Sequence, residues 1–168
     1  MNIKYAAAVV AILSLPASAM DQTPPAMAPE SWIVGTWILT AADKLTPDGK
    51  RVIDYGPNPH GLVIFAADGW YSLQIYRAQR TKFASGDKFN GTLEEYRDAS
   101  LGMSTSFGHY SVDSVKHIIT FHIDRASIPN RDDLTSTLPY ELNGDELSWK
   151  VTPRQDGSIP ITVLRKNK

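Results

Sequence analysis

Residues 62–76 read LVIFAADGWYSLQIY, and this stretch decides the fold class of the chain. Its two apolar runs, 62–67 and 70–76, are rich in the β-branched and aromatic residues that favour strands. Between them lies Asp68-Gly69, a dipeptide typical of the tight turn that joins two antiparallel strands. The stretch therefore predicts a β-hairpin and, with it, antiparallel β structure.

Similar short runs continue on both sides of this hairpin, separated by turn signals such as Pro47-Asp48-Gly49 and Asn143-Gly144-Asp145. Because most runs lie close in sequence to the next one, they predict an all-β antiparallel meander of about eight or nine strands. The predicted strands are 33–42, 52–55, 62–67, 70–76, 105–112, 117–124, 134–142, 147–152 and 161–165.

One segment between the fourth and fifth predicted strands breaks the β pattern. Thr92 and Glu95 have the spacing of a capping box, so a short amphipathic helix is predicted over residues 93–102. We expect this helix to cap one end of the fold or to cover the hairpin, and the preceding loop, 78–91, to open for ligand access. The apolar residues expected to pack against the strands are Leu93, Tyr96 and Met103.

The first nineteen residues have the pattern of a secretory signal peptide. Lys4 is followed by an apolar run over 5–15, and Ala17-Ser18-Ala19 has the small-x-small pattern of a cleavage site. The run is shorter than the ~20 residues that a membrane-spanning helix requires. We therefore expect a signal peptide over 1–19, a flexible proline-rich lead-in over 20–31, and a periplasmic or secreted protein.

Composition limits the remaining chain, 32–168, to one ordinary soluble domain. The sequence has 42% hydrophobic residues, 17 basic and 18 acidic residues, and a net charge of −1. Since nucleic-acid binders carry a basic excess, this balance speaks against a nucleic-acid partner. The absence of cysteine from the sequence excludes disulfides, thiolate metal sites and thiol nucleophiles.

The hairpin 62–76 presents apolar residues on both of its faces. If Asp68-Gly69 is a two-residue loop, Phe65 pairs with Ser72 and Val63 pairs with Gln74. Because the outer face of a sheet in water is usually polar, we expect the helix, the lead-in or a second copy of the chain to cover it. One face then carries Val63, Phe65, Trp70, Ser72, Gln74 and Tyr76, and the other carries Leu62, Ile64, Tyr71, Leu73 and Ile75.

Aromatic walls with a few polar groups are typical of ligand cavities. We therefore predict that the face with Phe65, Gln74 and Tyr76 lines a cavity. The alternative is that Gln74 and Tyr76 form an exposed polar pair on the outside.

A second hairpin follows from pairing Asp113 with Lys116. Its inward face carries the aromatic residues Tyr110 and Phe121, together with Val112, Ile119 and Ile123. Its outward face carries His109, His122 and Asp124, with the two histidines as diagonal neighbours. These three are the sharpest candidates for metal or acid–base chemistry, but they match no established metal-site spacing, and ordinary surface histidines are the favoured interpretation.

Three basic residues, Arg77, Arg80 and Lys82, leave the end of the fourth predicted strand. At a barrel rim they would form an electropositive mouth, in which Arg77 is the predicted partner of a ligand carboxylate. The alternative is an ordinary charged loop.

Several segments together resemble a family of bacterial and fungal lipocalin-like domains. Gly35-Thr36-Trp37 is similar to the Gly-x-Trp signature of lipocalins, whose tryptophan packs at the closed end of the barrel. The resemblance implies an antiparallel up-and-down barrel with an internal cavity, but it implies no particular reaction. The other segments that carry it are 55–62, 68–74, 83–87, 107–113 and 140–147.

From these observations we expect an exported barrel that binds a small, mainly apolar molecule. If the basic residues around Arg77 form its mouth, the molecule is also anionic. Two alternatives remain: a cyclase or isomerase that uses the same cavity, and a structural barrel filled by its own side chains. No catalytic residue, metal ligand or cofactor is predicted. The candidate ligand-binding residues are Phe65, Gln74, Tyr76, Arg77, Tyr110 and Phe121.

Overall fold

The computed structural model describes residues 30–168, so the predicted signal peptide and most of the lead-in lie outside the described residues. Nine strands, one α-helix and a short 3-10 turn (Pro129–Arg131) make up the fold. In chain order the main elements are β1 (Gly35–Leu45), β2 (Arg51–Ile53), β3 (His60–Phe65), β4 (Trp70–Tyr76), α1 (Leu93–Leu101), β5 (Met103–Asp113), β6 (Ile118–Ala126), β7 (Leu134–Asn143), β8 (Glu146–Lys150) and β9 (Ile159–Lys166).

Eight of the strands form a closed antiparallel barrel. The order is β1-β3-β4-β5-β6-β7-β8-β9, and β9 pairs back onto β1 from Trp37↔Lys166 to Leu45↔Ile159. The remaining strand, β2, pairs with the far end of β1 at Asp43, Lys44 and Leu45. The predicted all-β meander, with its one helix between the fourth and fifth strands, is confirmed.

Trp37 closes one end of the barrel. It is only 1% exposed, and its indole Nε1 donates a hydrogen bond of 2.7 Å to the carbonyl of Ile33. Trp32 meets Trp37 edge-on at 6.4 Å between ring centroids and lies 5.3 Å from the ring of Tyr140. The segment that precedes β1 therefore folds over the barrel end and fills it with aromatic rings.

The register of the β3–β4 hairpin differs from the predicted one by a single residue. Phe65 pairs with Tyr71, and not with Ser72, because the backbone of Ala66 bonds that of Trp70 and leaves a three-residue loop. Gly69 ends this loop at a φ of 89°, which suits a turn with a glycine bulge. A slip of one residue moves a side chain to the opposite face.

The predicted sharing of one face by Phe65, Gln74 and Tyr76 is therefore wrong. Tyr71 and Ile75 on β4 are buried with Phe65 inside the barrel. Gln74 and Tyr76 alternate with them and lie on the outside.

The β5–β6 hairpin also departs from the predicted register, but by two residues. Asp113 pairs with Ile118, which leaves a four-residue connection, and Tyr110 pairs with Phe121. Because an even shift keeps every side chain on its face, the predicted inward position of Tyr110 and Phe121 is confirmed, and both are buried.

Helix α1 has the predicted capping box. Glu95 donates its backbone N–H to Thr92 Oγ1 at 3.2 Å and accepts from the backbone N–H of Thr92 at 2.7 Å. The predicted packing on the barrel is wrong for Leu93, which is 82% exposed, and no residue of the helix is buried. The helix instead contacts the loop before it. The ring of Phe83 in this loop packs against that of Tyr96 in the helix, at 5.4 Å between ring centroids.

The outer face of β1, β3, β4 and β5 carries the exposed apolar residues Ile38, Ile64, Trp70 and Phe107. Since these side chains are 41–47% exposed, no element within residues 30–168 covers this face, and the predicted covering by the helix is wrong. Covering by the lead-in or by a second copy of the chain stays a prediction. Residues 30–168 also contain no helix that is long and apolar enough to cross a membrane.

We predict that Trp37→Ala lowers the free energy of unfolding by about 3–5 kcal/mol, since it removes a fully buried ring and leaves a cavity. Urea unfolding without ligand measures the change. Trp70→Ala is the matched control: its ring is 42% exposed, and we expect a loss of about 1 kcal/mol or less. Equal losses in the two variants would contradict the assignment of Trp37 as the plug of the barrel end.

Candidate functional site

A cavity of about 490 Å³ occupies the half of the barrel away from Trp37. Its walls are inward-facing side chains of the strands, and its mouth lies between the β1–β2 end, the 3-10 turn and residues 151–154. The apolar walls include Tyr71, Ile75, Phe121, Ile123, Leu138 and Trp149.

The other half of the barrel is filled. The Phe65 ring contacts Tyr110 at 4.8 Å between centroids, and the Tyr110 hydroxyl donates a 2.9 Å hydrogen bond to the carbonyl of Ala66. Val63, Ile119 and Phe65 are fully buried there. Phe121, 6.2 Å from Phe65, separates this packed half from the cavity and forms part of its floor.

Two hydroxyls of the inner wall are hydrogen-bonded to each other. The Tyr71 hydroxyl donates a buried hydrogen bond of 3.3 Å to Ser106 Oγ. Burial raises the pKa of Tyr71, while the Ser106 hydrogen bond and the positive charge of Arg131 act in the opposite direction. The phenol is therefore neutral at pH 7, and the guanidinium of Arg131 lies close enough to influence it.

The mouth contains two arginines in different electrostatic situations. Arg154 Nη2 lies 2.6 Å from Asp54 Oδ2, and Lys44 Nζ lies 3.4 Å from the other oxygen of that carboxylate. Tyr55 lies beside this pair, and its pKa is raised by burial and then by the charge of Asp54. Arg131 lines the same cavity, and among residues 30–168 no carboxylate forms an ion pair with it.

The structure brings only Phe121 of the six predicted site residues into the cavity wall. Phe65 and Tyr110 lie in the filled half. Gln74 and Tyr76 line a shallow groove on the outside of the barrel. No finding tests binding by these residues, so their roles as ligand contacts stay predictions.

Arg77, the predicted carboxylate partner, has a partner within the chain. Its Nη1 lies 2.9 Å from Asp98 Oδ1 on α1, and the same carboxylate accepts from the backbone of Thr81 at 3.3 Å. The loop 78–91 is thus held against the helix, and the cavity mouth is formed by other segments. Its opening for ligand access stays a prediction.

Sequence reasoning missed Tyr71, Trp149 and Arg131 as cavity residues. Tyr71 would follow from the correct hairpin register, and Trp149 from the alternation of β8, in which Leu147 and Trp149 are buried. Arg131 lies in an irregular segment with no periodicity, so only the closed barrel places it at the cavity.

His109, His122 and Asp124 share one outer face, as predicted. His109 pairs directly with His122, and His109 Nδ1 and His122 Nε2 lie 3.7 and 3.8 Å from Asp124 Oδ1. Both imidazoles are half exposed, and the Trp70 ring lies 3.9 Å from that of His109. Within residues 30–168, no three histidine or acidic side chains are grouped so that they could hold a metal ion.

Comparison with known proteins gives one family and two solved structures. A family model described as a lipocalin-like domain matches residues 34–166. A crystal structure of a lipocalin-like protein from Bacteroides uniformis ATCC 8492 is 16% identical and covers 80% of this chain and 98% of its own, with a TM-score of 0.40. A redesigned beta barrel is 12% identical and covers 85% of this chain and 99% of its own, with a TM-score of 0.42. No curated protein matches the chain.

We predict that Tyr110 makes the fold sensitive to alkali. Burial, with a smaller contribution from Asp68, raises the pKa of Tyr110 from 10.0 to about 12. Because the folded state holds this proton more tightly than the unfolded state, its contribution to stability is complete below pH 10 and is lost as the pH rises towards 12.

Urea unfolding between pH 9 and pH 11.5 tests this, at pH values chosen around the ~10 of a free tyrosine. Tyr110→Phe should lose stability less steeply than the wild type above pH 10, and Tyr76→Phe, on the outer face, should keep the wild-type slope. If Tyr110→Phe keeps that slope as well, the prediction fails.

Proposed function

The chain belongs to the lipocalin-like domain family, and on that premise we propose that it binds a small, mainly apolar molecule in the cavity that occupies the open half of the barrel. The carrying observation is the cavity itself, whose volume of about 490 Å³ lies within the ~300–1,000 Å³ typical of small-molecule sites. Such a volume suits one molecule of modest size.

The chemistry of the walls supports an apolar ligand. Most of the inner surface is aliphatic or aromatic, as in Leu138, Trp149 and Phe121. Transfer of apolar ligand surface from water to such walls is favourable by about 25 cal/mol per Å². The few polar groups, including Ser106 and Tyr71, are fixed by their mutual hydrogen bond and can orient the ligand without first being ordered.

The two alternatives have less support. A structural barrel filled by its own side chains disagrees with an open half that is far larger than the space of one or two waters. A cyclase or isomerase would need a tyrosine or histidine inside the barrel that has no structural partner. All four histidines are exposed, Tyr71 is bonded to Ser106, and Tyr55 is bonded to Ser104, so no observation favours the enzyme.

The proposal includes export, which the leader-like pattern of residues 1–19 supports. Expression of the full chain in a bacterium, followed by intact-mass measurement of the periplasmic fraction, tests it. A mass that corresponds to cleavage after Ala19 is expected, whereas uncleaved protein in the cytoplasm would contradict export.

We predict that Ser136→Phe weakens binding of the neutral fluorescent probe N-phenyl-1-naphthylamine at least about tenfold, because the new ring fills the cavity that Ser136 lines. Fluorescence titration measures the affinity, and the wild type should bind the probe saturably with one site per chain.

Thr137→Phe is the matched control, because Thr137 is the next residue of β7 and lies exposed on the outer face. It should bind the probe like the wild type. Saturable binding that both variants retain would locate the probe outside the barrel, and a wild type that does not bind would contradict the proposed function.

A further inference from the structure

We propose that the ligand of this cavity carries a carboxylate, and that Arg131 binds it. This inference rests on the proposed function, since it concerns one polar site within the same cavity. It assigns a chemical class to the ligand: an apolar molecule with a single anionic group, such as a medium-chain or aromatic carboxylic acid.

The position of Arg131 is fixed by the backbone. It is the last residue of the 3-10 turn Pro129–Arg131, in which the proline stands in the first turn and the Arg131 N–H donates to the carbonyl of Ile128 at 3.0 Å. Ile128 and Arg131 both line the cavity mouth. The turn therefore fixes the backbone of Arg131 at the cavity mouth, from which its side chain lines the cavity.

The acidic neighbours of Arg131 are engaged elsewhere. Asp132 accepts from the backbone N–H of Ala126 at 2.9 Å and lies 3.8 Å from Arg125 Nε. Asp133 lies 3.2 Å from Arg125 Nη1. Both carboxylates next to Arg131 in sequence are thus paired with Arg125, whose side chain lines the groove on the outside of the barrel.

The other arginine of the mouth shows the contrast. Arg154 lies 2.6 Å from Asp54, and the hydrogen bond to this carboxylate, together with its negative charge, raises the pKa of Arg154. Within residues 30–168, Arg131 is the one cavity-lining cation for which the chain supplies no ion-pair partner. A guanidinium in a largely apolar cavity favours an anion, and its planar fork suits the two oxygens of a carboxylate.

Two hydroxyls complete the polar site on the same side of the cavity. The Tyr71 hydroxyl donates to Ser106 Oγ, so the proton of Ser106 is free to be donated to a ligand oxygen. A carboxylate held by Arg131 and Ser106 leaves the rest of the ligand to contact the inward-facing Leu138, Trp149 and Phe121. The polar and apolar parts of the cavity thus match the two parts of an amphipathic acid.

Calorimetric titration with decanoate and with decan-1-ol at neutral pH tests the inference, since the probes share a chain length and differ in charge. The wild type should bind decanoate at least about tenfold more tightly than decan-1-ol, the ratio expected for one charge-assisted contact. Arg131→Met should remove this preference and keep the affinity for decan-1-ol. Arg97→Met, the control on the exposed helix α1 and outside the cavity lining, should behave like the wild type.

The outcomes separate the carboxylate site from the apolar binding function. If the wild type binds both probes equally, or Arg131→Met keeps the preference for decanoate, the carboxylate site is wrong while the apolar binding function stands. If the wild type binds neither probe, both are overturned. Should Arg131→Met fail to fold, Arg131→Lys replaces it: a lysine keeps the charge without the fork, so an intermediate preference for decanoate is expected, and an unchanged one overturns the bidentate contact.

Discussion

The pairing of β1 with β9 is the constraint on which the rest of the structure depends. It joins the first and last strands of the domain, from Trp37↔Lys166 to Leu45↔Ile159, and thereby converts a meander into a closed barrel. Closure leaves the eight barrel strands without a free edge and separates an inner face from an outer one. The cavity wall and the exposed apolar patch both result from that separation. Because the paired strands are so distant in sequence, the pairing is also the contact with the highest entropic cost of formation.

The sequence predicted the strands and the helix well because local signals decide them. Alternating apolar residues, the turn dipeptides and the capping box of Thr92 and Glu95 act over a few residues. The register was less predictable, since it depends on whether a turn has an even or an odd number of extra residues. The odd shift at Gly69 exchanged the faces of β4 relative to β3, whereas the even shift before Ile118 changed the partners and preserved the faces.

The candidate site was predictable only where it follows from strand alternation. Phe121 could be placed inside the barrel because it alternates with polar residues along β6. Arg131, in contrast, belongs to an irregular turn, and its relation to Tyr71 arises from the closure of the barrel and not from any spacing along the chain. The sequence therefore predicts only part of such a ligand site. The wall residues can be found from the two-residue alternation of the strands, whereas the position of the arginine in the turn follows no such period.

The two ends of the connection between β4 and β5 lie next to each other in the structure. Tyr76 pairs with Met103, and the backbone of Arg77 bonds that of Gly102 at 2.8 Å, so the chain leaves the ladder and returns to it without a gap. The barrel wall is complete without the intervening loop and helix. No residue of this helix is buried. We therefore expect this segment to unfold as a separate cooperative unit while the barrel stays intact. The same geometry makes it the natural place for new chain termini in a circular permutant, or for the insertion of a foreign domain.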